Sequence, residues 1–429
     1  MVLSFAKTGS RTISIKGLSD ATSPAIYIAE KCNRITMTTV VLLGAITPIA
    51  SVKLLKLRSV PTMLLTKENF TDAIWNDWKF HMRNLIRTKD KLAQWIALSD
   101  QDVTAIDAVK GTYRWMVTPY YASLMSKADD KCPIRLQAIP HADEMNTDVG
   151  SDIDPVGDAI FIKTRRVIHK YPNRVVFLIS DTCPVYCRFC TRKYHTSNEK
   201  GTYYNTDYDA AYEPDFEYIA RHQEISDVLL TGGDPLVLSD GKLEEIISRL
   251  RSIPHVKIIR IGSRYPVFLP QRITDELCSM LDKYRPIWLS THFNHPIEVS
   301  AEAAEACDRL LRHGIPVQNQ TVLLKGINDS LETLKALFRS LIEIRVRPYY
   351  LYHCDRVTGV SHFVTGLEQG QEIVDKLVGF ETGFSVPSYV VTTKLGKIPA
   401  QRPYLFRRGN RIYVRNYNME EDDITGYLI

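Results

Sequence analysis

Short apolar runs alternate with amphipathic segments through the second half of the chain. In the segments between the runs, leucine and isoleucine recur at helical spacing, as in 243–250. Strands and helices that alternate at this spacing predict an α/β fold with a parallel sheet and crossover helices. Six such units suit a partial (β/α)6 barrel better than a closed eightfold barrel. The six predicted strands are 174–180, 227–231, 256–262, 286–291, 316–324 and 347–353.

Capping signals predict where several of the helices begin and end. Ser300 predicts the N-cap of a helix that stops at Gly314. Asp329 and Glu332 form a capping-box pattern before the next periodic segment. Further upstream, tryptophan and leucine at helical spacing indicate helices. We therefore predict a leader at 1–66, an N-terminal helical region at 69–160, the barrel at 161–380 and a C-terminal extension at 381–429.

Positive charge is concentrated at the start of the chain. Residues 1–66 hold eight Lys or Arg and only two acids, so the rest of the 429-residue chain, whose total charge is +5, carries −1. A near-neutral body argues against a nucleic-acid partner, and no apolar stretch reaches the roughly 20 residues that span a bilayer. We expect a cytoplasmic protein. Organelle targeting by the basic, Ser/Thr-rich leader is the alternative.

Chemically distinctive residues follow the predicted strands. Because the carboxyl ends of parallel strands meet at one edge of a sheet, these residues are expected to share one large site. They are Cys183 after the first strand, 232–235 (GGDP) after the second, Ser263 after the third, His292 after the fourth, Gln320 within the fifth and Asp355 after the sixth.

Three cysteines, Cys183, Cys187 and Cys190, have the spacing CxxxCxxC. A structural zinc site normally takes four ligands, and a disulfide would leave one thiol over. Three thiolates can instead bind three irons of a [4Fe–4S] cluster and leave the fourth iron open to an outside ligand. A chance group of structural cysteines is the plainer alternative.

Motifs spread over most of the chain resemble one family. They are WNDWK (75–79), TPYYASLM (118–125), CRFCTRK (187–193), LLTGGDPL (229–236), IGSRYPVFLPQRIT (261–274), STHFNHP (290–296), YLYHCD (350–355) and GKIP (396–399). In this order and spacing, from about residue 69 to 420, they resemble the lysine 2,3-aminomutase family of radical S-adenosylmethionine (SAM) enzymes. The resemblance implies a partial barrel of the radical SAM type.

The resemblance assigns roles around an iron–sulfur cluster and SAM. Cys183, Cys187 and Cys190 would bind the [4Fe–4S] cluster, whose open iron would take the amino and carboxylate groups of SAM. The turn formed by Gly232, Gly233 and Asp234 is similar to the family's SAM loop. Further positions that match the family around the same ligand are Ser263, His292 and Gln320.

The family also uses pyridoxal 5′-phosphate (PLP) on a lysine, and here Lys397 aligns with that lysine. The segment TTKLGKIP (392–399) keeps GKIP but lacks the family's four-glycine run and is two residues shorter. Lys394 is an alternative anchor. Tyr171 and Arg174 match family contacts to the coenzyme, and Lys170 stands where the family often has arginine, which would keep a positive charge for the phosphate.

Substrate contacts follow from the same alignment. Arg192 matches the arginine that binds the substrate α-carboxylate, as its planar fork suits that anion. Of two aspartates that surround the distal ammonium of lysine in the family, Asp355 remains and Thr392 replaces the other. The loss of one carboxylate disfavours plain lysine. It leaves a basic or hydrogen-bond-donating side chain, such as arginine, ornithine or a modified lysine.

The resulting hypothesis is an amino acid 2,3-aminomutase, an isomerase that moves the α-amino group from C2 to C3 and yields a β-amino acid. The family implies an external electron donor of the flavodoxin or ferredoxin type and a homo-oligomer. One alternative is that the same residues and cofactors catalyse dehydrogenation, elimination or epimerisation of an amino acid. A second dispenses with PLP, and a third is a non-enzymatic iron–sulfur or zinc protein.

Overall fold

The computed structural model describes residues 64–146, 150–199 and 211–428. The predicted leader, 1–66, falls outside these residues apart from its last three, so its role stays a prediction.

A nine-stranded sheet runs in chain order from one edge to the other. The second to eighth strands are parallel, and an antiparallel strand closes each edge. All six predicted strands are present in the predicted order, as β2 to β7, which confirms the partial barrel. The strands are β1 (Val167–Tyr171), β2 (Arg174–Ser180), β3 (Asp227–Gly232), β4 (Ile258–Gly262), β5 (Ile287–Thr291), β6 (Val317–Leu323), β7 (Arg347–His353), β8 (Ser388–Thr393) and β9 (Gly396–Pro399).

The two faces of the sheet differ in polarity because successive side chains of a strand point to opposite faces. In β6, Val317 and Leu323 are buried, whereas Gln318, Gln320 and Val322 are partly exposed and line a central cavity. The same alternation recurs in β3 and β4. The sheet therefore packs a buried, largely apolar outer face against helices and turns a partly exposed inner face, with more polar side chains, toward the cavity.

Helices connect the strands of the barrel. They are α7 (Lys193–Thr196), α8 (Glu213–Arg221), α9 (Asp240–Arg251), α10 (Tyr265–Phe268), α11 (Asp275–Asp282), α12 (Ala301–Arg312), α13 (Leu331–Glu343) and α14 (Leu367–Asp375). The predicted apolar face of α9 is buried throughout. Ser300 caps α12 as predicted and accepts from the Ala303 N–H at 3.1 Å. The prediction for α13 is wrong by one residue, since Ser330 is its N-cap and Asp329 accepts from the Gly326 N–H instead.

Short helices form the N-terminal region. They are α1 (Asp72–Trp75), α2 (Trp78–Arg83), α3 (Lys89–Leu92), α4 (Asp100–Val109), α5 (Pro119–Ser123) and α6 (Pro133–Ala138). Asp77 caps α2 and so separates it from α1. The Thr118 hydroxyl donates to the Phe268 carbonyl at 2.6 Å, which fixes α5 against α10. This region therefore packs directly on the barrel.

A small antiparallel sheet follows the barrel. Its strands are β10 (Leu405–Arg408), β11 (Arg411–Arg415) and β12 (Glu421–Asp423). Arg402 and Tyr404 bind the Asp375 carboxylate at 3.0 and 2.8 Å and so attach this segment to α14. The 3₁₀ helices are Lys67–Asn69, Ala142–Met145, Ala159–Phe161, Pro235–Val237, Pro270–Arg272, Pro296–Glu298, Ser361–Phe363 and Thr425–Leu428. Within the described ranges, no helix has the length and apolar character that a membrane crossing requires.

Candidate active site

One cavity of about 740 Å³ lies along the inner face of the sheet and takes residues from every strand from β1 to β9. Every predicted site residue lines it, although these residues come from segments more than 200 positions apart. They are Lys170, Tyr171, Arg174, Cys183, Cys187, Cys190, Arg192, Gly232, Gly233, Asp234, Ser263, His292, Gln320, Asp355, Thr392 and Lys397. The structure thus brings the predicted set together, while the role of each residue stays a prediction.

The three cysteines lie on the loop that follows β2 and line one part of the cavity, called the cysteine end. Burial, with further contributions from Asp234 and the neighbouring thiols, raises the pKa of Cys183 well above its ordinary value. Burial also raises the pKa of Cys190. Such thiols keep their protons in the absence of a metal and release them to solvent when a metal binds the sulfur. No three His, Cys, Asp or Glu side chains of the described residues converge tightly enough to hold a single metal ion. A four-iron cluster is larger, and its thiolate ligands stand further apart than those of one ion.

A buried ionic cluster braces the cysteine loop. The Glu144 carboxylate accepts from Arg188 at 2.9 and 2.5 Å and from Lys193 at 2.7 Å. Lys193 also donates to the Gly359 carbonyl, beyond β7. Burial alone would raise the pKa of Glu144, but the two cations outweigh it and hold the pKa at about 2. Sequence reasoning missed this cluster, because only the fold brings the three residues together.

The glycines of the turn after β3 are needed for a close approach of two backbones. Gly232 has φ +127°, and a Cβ there would lie 2.1 Å from the Ser180 carbonyl oxygen. A Cβ on Gly233 would lie 2.4 Å from the Thr182 carbonyl oxygen. The turn thus packs against the start of the cysteine loop, which gives both glycines a structural role beside the predicted one.

Asp234 joins the ends of two neighbouring strands. Its carboxylate accepts from the Ser263 hydroxyl and the Arg264 N–H, each at 2.8 Å, and from the Leu236 N–H at 3.1 Å. Burial raises the pKa of Asp234 to about 6 against the effect of these hydrogen bonds. Asp234 and Ser263 therefore position the turn in addition to lining the cavity.

His292 and Gln320 reach the cavity from β5 and β6. Burial, with Arg264 and Lys397 nearby, lowers the pKa of His292 to about 3. His292 is therefore neutral at physiological pH, and its ring offers one donor and one acceptor to a ligand.

A hairpin of β8 and β9 carries Lys397, and this part of the cavity wall is called the lysine end. The Lys397 Nζ donates to the Tyr352 hydroxyl at 2.5 Å and lies 5.0 Å from the centroid of the Tyr350 ring. The side chain keeps accessible surface because it faces the cavity, but protein surrounds its ammonium. This burial, together with nearby arginines, lowers the pKa of Lys397 to about 8. Lys394, in contrast, has a 65% exposed side chain and pairs with Asp152 at the surface.

Tyr171 and Gly396 set the position of the hairpin. The Tyr171 hydroxyl accepts from the Lys397 N–H at 2.9 Å, and the Arg174 guanidinium lies 3.7 Å from the Tyr171 ring centroid. A Cβ on Gly396, whose φ is +120°, would lie 2.8 Å from that hydroxyl. Lys170 donates to the Val156 and Thr393 carbonyls, so it braces the hairpin as well as adding a positive charge.

Three further predicted residues lie beside Lys397. Thr392 pairs with Lys397 across the hairpin. Burial raises the pKa of Asp355 to about 6, against the effects of a hydrogen bond from Thr191 and of the Lys397 charge. Arg192 donates to the Asp158 carboxylate at 3.1 Å, which fixes its guanidinium at the cavity wall. The lysine end thus combines a lysine of lowered pKa, several cationic side chains and a carboxyl group of raised pKa.

Comparisons with known proteins agree with this geometry. Residues 177–338 match the family model described as the Radical SAM superfamily. The chain is 45% identical over 362 residues to an L-lysine 2,3-aminomutase of Fusobacterium nucleatum, with 84% of each protein covered. It is 43% identical to an L-lysine 2,3-aminomutase of Acetoanaerobium sticklandii, over 82% of this chain and 84% of that protein. A glutamate 2,3-aminomutase of Clostridioides difficile is 38% identical, with 81% of each protein covered.

Identity and coverage of this extent fix the family but leave the substrate open, because relatives named for lysine and for glutamate both align over most of the chain. Radical SAM enzymes carry a [4Fe–4S] cluster and use SAM, and the cavity supplies three thiols at one end for such a cluster. The chain belongs to the lysine 2,3-aminomutase family of radical SAM enzymes.

Proposed function

We propose that the protein is a PLP-dependent amino acid 2,3-aminomutase that acts on a free amino acid with a basic or hydrogen-bond-donating side chain. The observation that supports this most strongly is that Lys397, a lysine of lowered pKa, shares one cavity with Cys183, Cys187 and Cys190. Amino migration needs both parts: a source of a hydrogen-abstracting radical, and an amine carrier that can delocalise the unpaired electron.

The side chains that line the cavity suit both an iron–sulfur cluster and PLP. Three thiols on one loop suit a cluster with one open iron, and Arg174 and Lys170 place positive charge beside Lys397, where a phosphate would be held. When bound, the cluster and SAM supply the 5′-deoxyadenosyl radical, and PLP supplies the conjugated system. The chain's own residues have to bind the amino acid and hold it between the two ends of the cavity.

Lys397 has the properties of an amine nucleophile. With a pKa of about 8, a substantial fraction of its amine is neutral at mildly alkaline pH, whereas an exposed lysine is almost wholly protonated. The hydrogen bond to Tyr352 orients its Nζ. The Lys397 amine is therefore held in position, and it is deprotonated more readily than that of an ordinary lysine.

Arg192 and Asp355 would bind the two ends of the substrate. Asp158 fixes the Arg192 guanidinium, whose planar fork suits an α-carboxylate. Asp355 would accept from the distal group of the substrate side chain. A cationic group there would offset the burial that raises the Asp355 pKa, which is why we propose a basic amino acid.

Borohydride trapping tests the assignment of Lys397. The anaerobically purified protein is reconstituted with iron, sulfide and PLP, reduced with borohydride, digested and analysed by mass spectrometry. We expect a coenzyme adduct on the peptide that contains Lys397. The adduct should be absent in K397A and unchanged in the matched control K394A. An adduct on Lys394, or none while the cluster forms and cleaves SAM, would contradict the proposal.

A panel of amino acids tests the substrate class. Lysine, ornithine, arginine and glutamate are each incubated with reduced enzyme and SAM, and β-amino acids are separated by chromatography. We expect at least one basic amino acid to give a β-amino acid and glutamate to give none. Conversion of glutamate alone would contradict the proposed role of Asp355.

A further inference from the structure

Among the three cysteines, Cys187 alone accepts a hydrogen bond from a charged side chain of the described residues. Arg264, at the end of β4, donates from Nη1 to the Cys187 sulfur at 2.9 Å. Cys190 has the Thr196 hydroxyl at 3.9 Å, a backbone hydrogen bond from Arg192 and the Arg192 charge in its surroundings. Cys183 instead has the Asp234 carboxylate in its surroundings. The three thiols therefore differ in their electrostatic environment.

The Arg264 guanidinium is fixed by its other partners. Nη2 donates to Gln137 and to Glu298, both at 2.9 Å, and Nε donates to the His292 carbonyl at 2.7 Å. The side chain is only 7% exposed. Because Nε and Nη2 both donate to other partners, the plane of the guanidinium is fixed and Nη1 points at the Cys187 sulfur.

The partners of Arg264 are themselves held. The Glu298 carboxylate also accepts from the Tyr121 hydroxyl and the Asn294 N–H, each at 2.6 Å. The Gln137 side-chain oxygen also accepts from the Asn294 amide at 3.0 Å. The network links the N-terminal helical region to the strand ends and joins residues up to 177 positions apart.

We propose that Arg264 is a positioning residue for the iron–sulfur cluster, and that its N–H···S hydrogen bond to Cys187 raises the reduction potential of that cluster. This inference rests on the proposed role of Cys187 as a cluster ligand. Reduction adds one electron, taken from an external one-electron donor, to a cluster whose thiolates are already negative. A fixed cation and hydrogen bond at one sulfur stabilise the reduced form more than the oxidised form.

A redox titration followed by electron paramagnetic resonance tests the proposal. The reconstituted protein is reduced stepwise with dithionite in the presence of mediators, without SAM, and the ratio of reduced to oxidised cluster is recorded. We expect this ratio in R264Q to be at least about tenfold lower than in the unaltered protein at the same potential. For a one-electron couple that change equals about 59 mV.

Two further variants distinguish the loss of the Arg264–Cys187 hydrogen bond from a general disturbance of the structure. E298Q keeps Arg264 and removes a buried negative charge, so its ratio should equal or exceed that of the unaltered protein. The double variant R264Q/E298Q leaves no unpaired buried charge, and its ratio should fall as in R264Q. A merely structural role would lower the ratio in E298Q as well. If neither R264Q nor R264Q/E298Q retains iron, R264K is measured instead. We expect its ratio of reduced to oxidised cluster to fall as well, but by less than about tenfold.

The outcomes also distinguish this inference from the ligand assignment. Full iron content in a C183A/C187A/C190A variant would overturn the ligand role and the inference with it. Normal iron content in R264Q, R264Q/E298Q or R264K with an unchanged ratio would overturn the role of Arg264 alone. The role of Arg264 would also be overturned if the ratio of reduced to oxidised cluster fell as far in E298Q as in R264Q.

Discussion

The two ends of the cavity are held in different ways. At the cysteine end, the loop of Cys183, Cys187 and Cys190 is fixed to the N-terminal helical region by the buried ion pairs of Glu144 with Arg188 and Lys193. The Arg188 N–H also donates to the Gln137 carbonyl at 2.9 Å. The lysine end is a short hairpin whose Lys397 is placed by hydrogen bonds to tyrosines and by one close glycine contact.

This difference indicates where the fold can vary. Breaking a buried ion pair is costly, because the remaining charge stays desolvated. A change in a two-stranded edge hairpin alters few contacts. The cysteine end should therefore tolerate few substitutions, whereas at the lysine end residues that line the cavity, such as Thr392, should be replaceable without loss of the fold.

The largest expected effect is at the cysteine end. Glu144→Ala would leave Arg188 and Lys193 buried without their carboxylate, so the free energy of unfolding should fall by about 3–5 kcal/mol. Urea denaturation monitored by circular dichroism measures it. The matched control is Glu217→Ala, which breaks the exposed pair with Arg221 and should cost less than about 1 kcal/mol. Equal losses in the two variants would remove the distinction between the two ends.

The next effect concerns the glycine of the hairpin. Gly396→Ala forces a side chain into a positive φ and against the Tyr171 hydroxyl, which should cost about 1–3 kcal/mol. We expect the yield of the Lys397 adduct to fall while iron content stays normal. Gly383→Ala is the control, since a Cβ there meets nothing within 4 Å. A loss of iron in G396A would show that the two ends are not independent.

A smaller effect follows from the raised pKa of Asp355, about 6. Below that pH the carboxyl is protonated and loses its charge. Binding of an amino acid with a cationic side chain should therefore weaken as pH falls from 7 to 5, while binding of norleucine, whose side chain carries no charge, should not change. In Asp355→Asn, affinity for the cation should be about 10- to 100-fold lower at pH 7 and independent of pH in this range. Spectral titration of the bound coenzyme gives these constants, and an unchanged pH dependence in D355N would exclude Asp355 as the binding group.

The smallest expected effect is at Thr392. Thr392→Asp places a second carboxylate opposite Lys397 in the hairpin and should tighten lysine binding by about fivefold, roughly 1 kcal/mol. Thr392→Asn, which is close in size to Asp but uncharged, is the control. The same titration measures both variants. Equal affinities in the two would mean that the side chain at 392 does not face the substrate ammonium.

Much of the fold was predictable from local pattern. The six apolar runs became β2 to β7, and the apolar face of α9 is buried as its spacing predicts. β8 and β9 were not predicted as strands. They have six and four residues, alternate weakly, and are defined by pairing with β7 and with each other.

The site was predictable where residues follow strands or keep a motif, as Cys183 and Lys397 do. Arg188 and Lys193 belong to the cysteine motif, but their partner Glu144 lies 44 and 49 positions earlier. Arg264 and Gln137 are 127 positions apart. No local pattern joins such residues, because the barrel alone brings them together.

The central claim is that the cysteine end and the lysine end form one active site. The most direct test is to incubate the reduced enzyme with SAM and with the accepted amino acid labelled with deuterium at C3, and to follow the label by mass spectrometry. We predict deuterium in 5′-deoxyadenosine and in the β-amino acid product, and neither in K397A. SAM cleavage without deuterium transfer, or the same transfer in K397A, would contradict a shared site. A label found only in a dehydrogenated, eliminated or epimerised product would contradict amino migration.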